Sequence, residues 1–222
     1  DVTVRSNQTI GDSSETVVLT VDDSGKLIIE AGAALSVQGH LNHSAWRGEI
    51  VIRGGGRLLF DAAANQQLEL QQNNGGQLIT FDGAPNKRGL IGLADGAQGG
   101  WHVATVGLRD SRFNGSYGRV EDAFDPLTDQ GWSMAMANDP DDSRFVADHI
   151  EFVRCGEISI FGFDAGAITE VRLDALTFKD QAKAAAEFSR PAFWFDGFGG
   201  EAVDTGASVA PKSLTNIVSD TQ

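Results

Sequence analysis

Short aliphatic runs recur along this chain about every 20 residues, with glycine at the bends between them, and this constrains the fold more than any other feature. The clearest stretch is Gly25-Lys26-Leu27-Ile28-Ile29-Glu30-Ala31-Gly32-Ala33-Ala34-Leu35-Ser36-Val37-Gln38-Gly39. Set under one another, the segments beginning at Leu27, Ile50, Leu68 and Leu90 start 23, 18 and 22 residues apart. A second series beginning at Leu35, Leu58 and Leu78 interleaves at 23 and 20 residues, across corners that hold Gly32, Gly54-Gly55-Gly56 and Gly75-Gly76. A unit of this length cannot bury an apolar face alone and must stack on its neighbours. The runs are too short for an independent hairpin sheet but suit one side of a coil. Alternation such as Leu35-Ser36-Val37 sends one side chain inward and the next outward. Glycine at the corners supplies the positive φ that a sharp bend requires.

The second half repeats the theme with other residues. Phe145-Val146-Ala147-Asp148-His149-Ile150-Glu151-Phe152 aligns with Val171-Arg172-Leu173-Asp174-Ala175-Leu176-Thr177-Phe178 over eight positions at an offset of 26. Val106 to Phe113 reads as a looser third copy 39 residues before Phe145, and the excess reads as an insertion between Gly115 and Ser143. The pattern predicts an all-β parallel solenoid of about eight rungs in one domain over 1–222. Regular Gly-cornered rungs occupy 1–105, rungs with a long loop at 115–143 occupy 106–196, and 197–222 is a tail or cap. Asp180 to Phe188 contains Ala-Lys-Ala-Ala-Ala-Glu, which predicts a short helix ended by Arg190-Pro191. A β-sandwich also has many short strands and turns and is the competing fold, but it predicts no fixed repeat.

A formal charge of -14 argues against nucleic acid as a partner, because a binder of phosphate backbone needs a basic face. No apolar run approaches the length of a membrane span. The single cysteine, Cys155, excludes an intrachain disulfide, and its place just after the run Ile150 to Phe152 predicts a buried thiol. A chain beginning at Asp1 is expected to be a processed polypeptide, secreted or on the cell surface.

Residues Leu27 to Gly39, followed by Ile50-Val51-Ile52-Arg53-Gly54-Gly55-Gly56-Arg57-Leu58, resemble the opening coils of right-handed parallel β-helix proteins of the pectate-lyase-like kind. They are similar in particular to the Gly-rich strand domain that begins cell-surface hyaluronan-degrading proteins. The resemblance in wording covers residues 15 to 95 and implies a right-handed coil engaged in extracellular polysaccharide binding or degradation. If enzymatic, it would be a polysaccharide lyase or a glycoside hydrolase. The alternative is a non-catalytic adhesin or structural and assembly module.

Candidate site residues follow from chemistry and position. Asp148 and Asp174 hold equivalent places in consecutive copies, which would set two carboxylates roughly 5 Å apart, as acid and base roles require; a ladder of turn-capping aspartates is the plainer alternative. Tyr117 and Trp132 in the expected loop and Trp194 in Phe193-Trp194-Phe195 are candidate sugar platforms, since an aromatic face suits the C–H side of a sugar. Trp194 equally suits a cap, a homo-oligomer contact, or a junction with a larger parent chain. Arg144 and Arg172, with Arg154 and Lys179, form a candidate basic strip for an acidic substrate, and scattered surface charge is the alternative. Asp139, Asp141 and Asp142 crowd hard oxygen ligands on one turn suited to Ca²⁺, or make a solvated turn; no cofactor is otherwise required. His149 reads as a strand residue, and the four histidines show no zinc spacing.

Overall fold

The computed structural model describes residues 1–12, 16–18, 25–38, 40–42, 49–61, 66–72, 76–95, 101–107, 111–122, 130–136, 143–155, 157–162, 168–179, 193–196, 212–215 and 218–220. Every regular element among them is a β-strand, and no helix occurs among the described residues. The chain begins with β1 (Val2–Val4), β2 (Gln8–Ile10) and β3 (Thr16–Val18), then β4 (Lys26–Ile29), β5 (Ala34–Gln38) and β6 (His40–Asn42). Next come β7 (Glu49–Arg53), β8 (Arg57–Asp61) and β9 (Gln66–Gln72), then β10 (Gly76–Asp82), β11 (Gly89–Leu93) and β12 (Trp101–Gly107). β13 (Ser111–Ser116), β14 (Gly118–Glu121) and β15 (Gln130–Met136) lead to β16 (Ser143–Asp148), β17 (Glu151–Val153) and β18 (Glu157–Gly162). The series closes with β19 (Ile168–Asp174), β20 (Thr177–Lys179), β21 (Phe193–Asp196), β22 (Lys212–Thr215) and β23 (Val218–Asp220).

Successive strands go to three faces in turn. The first sheet is β1-β4-β7-β10-β13-β16-β19-β22 and the second is β2-β5-β8-β11-β14-β17-β20-β23. A third face carries β21-β18-β15-β12-β9 and the pair β3-β6, with β6 lying against β9. All pairings between these strands are parallel, which excludes the sandwich. Parallel neighbours require a crossover between them, and here the other two faces supply it.

The repeat therefore has three strands where the aliphatic spacing suggests two. Leu27 pairs with Ile50 and Leu35 with Leu58 as expected. Beyond them the short spacing fails, because Ile50 pairs with Ile79 and Leu58 with Ile91, whereas Leu68 belongs to β9 on the third face. Likewise Phe113 pairs with Phe145, 32 residues on, in place of the 39-residue alignment through Val106. The stretch expected as a loop at 115–143 holds β14 and β15, the second and third strands of an ordinary repeat. The expected helix from Asp180 to Phe188 lies outside the described residues.

Inward positions stack into apolar columns between the first and second sheets. Leu27, Ile50 and Ile79 form one, and Ile29, Ile52 and Phe81 another; all are buried, and the register aligns each with the next. Leu35, Leu58, Ile91, Val120 and Phe152 line the second sheet's inner side in the same way. Full burial of each such side chain contributes about 1.5–3 kcal/mol. Cys155 joins this interior as expected, its Sγ 3.4 Å from the Val120 carbonyl oxygen.

Phe81 fixes the next repeat's sequence. A Cβ on Gly118 would lie 2.5 Å from the Phe81 ring, so glycine is needed there for the ring to fit. We expect Gly118→Ala to destabilise the protein by about 1–3 kcal/mol, the usual penalty of overpacking. In urea denaturation the added change Phe81→Leu should recover part of that loss. An unchanged midpoint for Gly118→Ala would show that the ring does not pack there.

Candidate functional site

Corners between the first and second sheets are made by residues with left-handed backbone. In the early repeats these are Gly32 at φ 78° and Gly55 at φ 86°. Later the same bend is made by Tyr117 at φ 51°, His149 at φ 54° and Ala175 at φ 51°. A side chain in this conformation costs on the order of 1–2 kcal/mol relative to glycine, and such positions cluster at functional sites. Backbone bonds hold the bends in line: the Tyr117 N–H donates to the Asp148 carbonyl oxygen at 3.0 Å, and the His149 N–H to that of Asp174 at 2.9 Å.

The register then stacks planar side chains along the corner. Gly89 pairs with Gly118, which places Arg88 beside Tyr117, and Ser116 pairs with Asp148, which places Tyr117 beside His149. The Tyr117 and His149 rings stack with centroids 4.4 Å apart and an interplanar angle of 26°. The Arg88 guanidinium lies over the tyrosine ring, 5.6 Å from its centroid. Tyr117 therefore has a planar neighbour on each side along the stack and is not a free platform. Arg88 is anchored by bonds from its Nη1 to the carbonyl oxygens of Gly118 and His149, and by an ion pair from Nη2 to Glu151 at 3.4 Å. Beyond His149 the next corner residue in register is Ala175, partly exposed and with no ring to continue the column.

Asp148 and Asp174 are brought together as expected: they are register partners at the ends of β16 and β19. Each is partly exposed, and the Asp148 carboxylate bonds the His149 imidazole at Nδ1. The same column continues through Asp82 and Ser116, so the pair is one stretch of a polar ladder. His149 is a corner residue and not a strand residue, which is what puts its ring beside Asp148.

The other expected residues are not gathered here. Trp132 and Trp194 lie on the third face, where Trp132 pairs with Ile158 and Trp194 with Ser159, one position out of register. Arg144 pairs with Glu170 and Arg172 with Val146, so these arginines stand two positions apart on neighbouring strands. The rest of the expected basic strip is paired with acids. Arg154 holds Asp122 through two bonds of 2.7 and 2.9 Å, and Lys179 reaches Glu151 at 3.4 Å. Asp139, Asp141 and Asp142 lie outside the described residues. Among the described residues no group of three or more His, Cys, Asp or Glu is placed to hold a metal ion.

Next to the planar stack, on the outer side of the second sheet, is an open cleft of about 420 Å³. Its lining includes Arg57, Asn86, Arg88, Leu90, Arg119 and Glu121, and of these the aliphatic spacing singles out only Leu90. The signal was there in the 32-residue offset that carries Phe113 to Phe145 and Tyr117 to His149, but it is readable only once the repeat is known to hold three strands.

Comparison with family models, with curated proteins and with solved structures gave no match in any of the three.

Left-handed backbone at His149 has a direct consequence. His149→Gly should be more stable than His149→Ala by about 1 kcal/mol, because only the alanine keeps a Cβ at positive φ. Equal denaturation midpoints for the two variants would contradict the corner geometry.

Proposed function

We propose that this chain is a right-handed parallel β-helix of about eight rungs, secreted or displayed at the cell surface, that binds polysaccharide along the corner between its first two sheets. The observation that carries this reading is the step at Ala175. The stack of Arg88, Tyr117 and His149 stops there, because alanine brings no ring to the next corner position, one strand spacing of about 4.8 Å from the imidazole. A sugar ring on that step continues the stack, with its C–H face on His149 and its hydroxyls toward the carboxylates of Asp148 and Asp174. Partial exposure of His149, Asp148, Asp174 and Ala175 supports access from solvent.

Degradation would use the same two carboxylates, since a register pair one strand spacing apart suits a division between proton donor and acceptor. The Asp148 contact to His149 favours binding over cleavage, because it commits that carboxylate to orienting the imidazole. Calcium at Asp139, Asp141 and Asp142 would be an accessory to this reading and not a requirement of it.

A second reading, a non-catalytic adhesin or assembly module, rests on the sheet ends. Among the described residues β1 and β2 have one hydrogen-bonded neighbour each in the two long sheets, and Val2 on β1 is 62% exposed. An edge of this kind can pair with another chain.

A glycan-binding screen of neutral and acidic polysaccharides, followed by assays for reducing ends and unsaturated products, tests the proposal. Binding is expected, and Ala175→Tyr should abolish it while leaving the fold intact, because the new ring fills the step as Tyr117 fills its own corner. Absence of binding across the screen would sink the polysaccharide reading; undiminished binding by Ala175→Tyr would move the site elsewhere.

A further inference from the structure

The cleft beside the stack has a charge pattern unlike the rest of this acidic chain. On the second sheet, register places Arg57, Leu90, Arg119 and Glu151 in one row across β8, β11, β14 and β17. Arg57 and Arg119 thus stand two strand spacings apart with the Leu90 side chain between them, and Arg88 enters from the corner. Arg88 and Arg119 use part of their hydrogen-bonding capacity on acids. Arg119 bonds Glu121 and lies 3.7 Å from Glu151, which also pairs with Arg88.

Two donors at the cleft are left over. Arg57 makes no side-chain hydrogen bond or ion pair among the described residues, while the carboxylates of Glu30, Glu121 and Glu151 are engaged by other cations. The Nε of Arg119 is buried without an acceptor. A guanidinium N–H withdrawn from water and left unbonded is costly, and two like charges flank the same apolar floor. What the cleft lacks is a group that brings negative charge and acceptor oxygens pointing in more than one direction.

We infer that this cleft binds a tetrahedral oxyanion, a sulfate group carried on a ligand or the free ion, held between Arg57 and Arg119 with Arg88 at its edge. A carboxylate offers two oxygens in one plane and suits a single guanidinium fork. A sulfate directs three free oxygens apart and can meet donors arriving from two strands and the corner. Gly55 and the exposed Pro85 and Asn86 leave the cleft open enough for a group attached to a larger molecule. The inference stands on these arginines and does not need the step at Ala175.

The test is calorimetric titration at low ionic strength, since an exposed site is screened by salt. The probes are inorganic sulfate, a sulfated oligosaccharide and the same oligosaccharide after desulfation. The expected result is that sulfate binds, or that the sulfated oligosaccharide binds about tenfold or more tightly than its desulfated form, and that Arg57→Gln removes the sulfate-dependent part. Arg57→Lys, which keeps the charge but not the planar fork, should retain only a fraction. If free sulfate does not bind and sulfation of the oligosaccharide makes no difference, or if Arg57→Gln binds as the parent does, the inference is overturned. Parallel denaturation of Arg57→Gln separates a lost site from a lost fold. Failure of the polysaccharide reading would show differently, as loss of binding to unsulfated glycans and insensitivity to Ala175→Tyr.

Discussion

Hydrogen bonding between one repeat and the next sets where every side chain in this molecule can go. The strands are short, and among the described residues none pairs with another strand of its own repeat; their backbone groups are satisfied by the equivalent strand before or after. A slip of one residue would turn the aliphatic columns outward, so burial of Ile29, Ile52, Phe60 and Phe81 locks the register. Once locked, the register leaves little choice at the corners. Tyr117 must stand beside His149, and Asp148 must stand over Asp174.

The same stacking that makes the scaffold also makes the surface features. The planar stack and the Arg57 to Glu151 row are both columns of equivalent positions, one at a corner and one on the second sheet. A ladder of residues rises one strand spacing per repeat, so changing a single residue in it creates a step or an orphaned charge at a defined height. Ala175 following His149 is such a change, and Leu90 between Arg57 and Arg119 is another. Left-handed Tyr117 and His149 replace the glycines of the early corners, and the backbone cost of doing so is met by the packed sheets on either side.

Much of the scaffold was legible in the sequence. The alternation in Leu27 to Ile29 and Leu35 to Val37 marked buried strand faces, and the alignment of Phe145 to Phe152 with Val171 to Phe178 gave the true register, including the aspartate pair. The third strand of each repeat was not legible as such. Segments such as Gln66–Gln72 and Gln130–Met136 mix polar and apolar residues without a repeated spelling, so the first reads as a member of another series and the second as part of a loop. The site suffered from the same error. With Phe113 set against Phe152, Tyr117 had no reason to meet His149; with Phe113 set against Phe145, it has no alternative. The cleft arginines were hidden for a different reason. Arg57, Arg88 and Arg119 are far apart in sequence and share no motif, and only the stacking order brings them to one place.

The in-register corner at Tyr117 can be measured without reference to function. Asp82 and Ser116 are register partners on β10 and β13, immediately before the corner, and Cys155 is buried and out of reach of an oxidant. In parallel strands such partners are about 5 Å apart, within disulfide range, whereas a position two residues away is about 8 Å distant and outside it. Oxidative cross-linking of Asp82→Cys with Ser116→Cys, compared with Asp82→Cys with Asn114→Cys, reads the register at this point. The predicted result is rapid disulfide formation in the first pair and little in the second. Equal yields, or preference for Asn114, would contradict the β10–β13 register from which the stacking order at this corner is built.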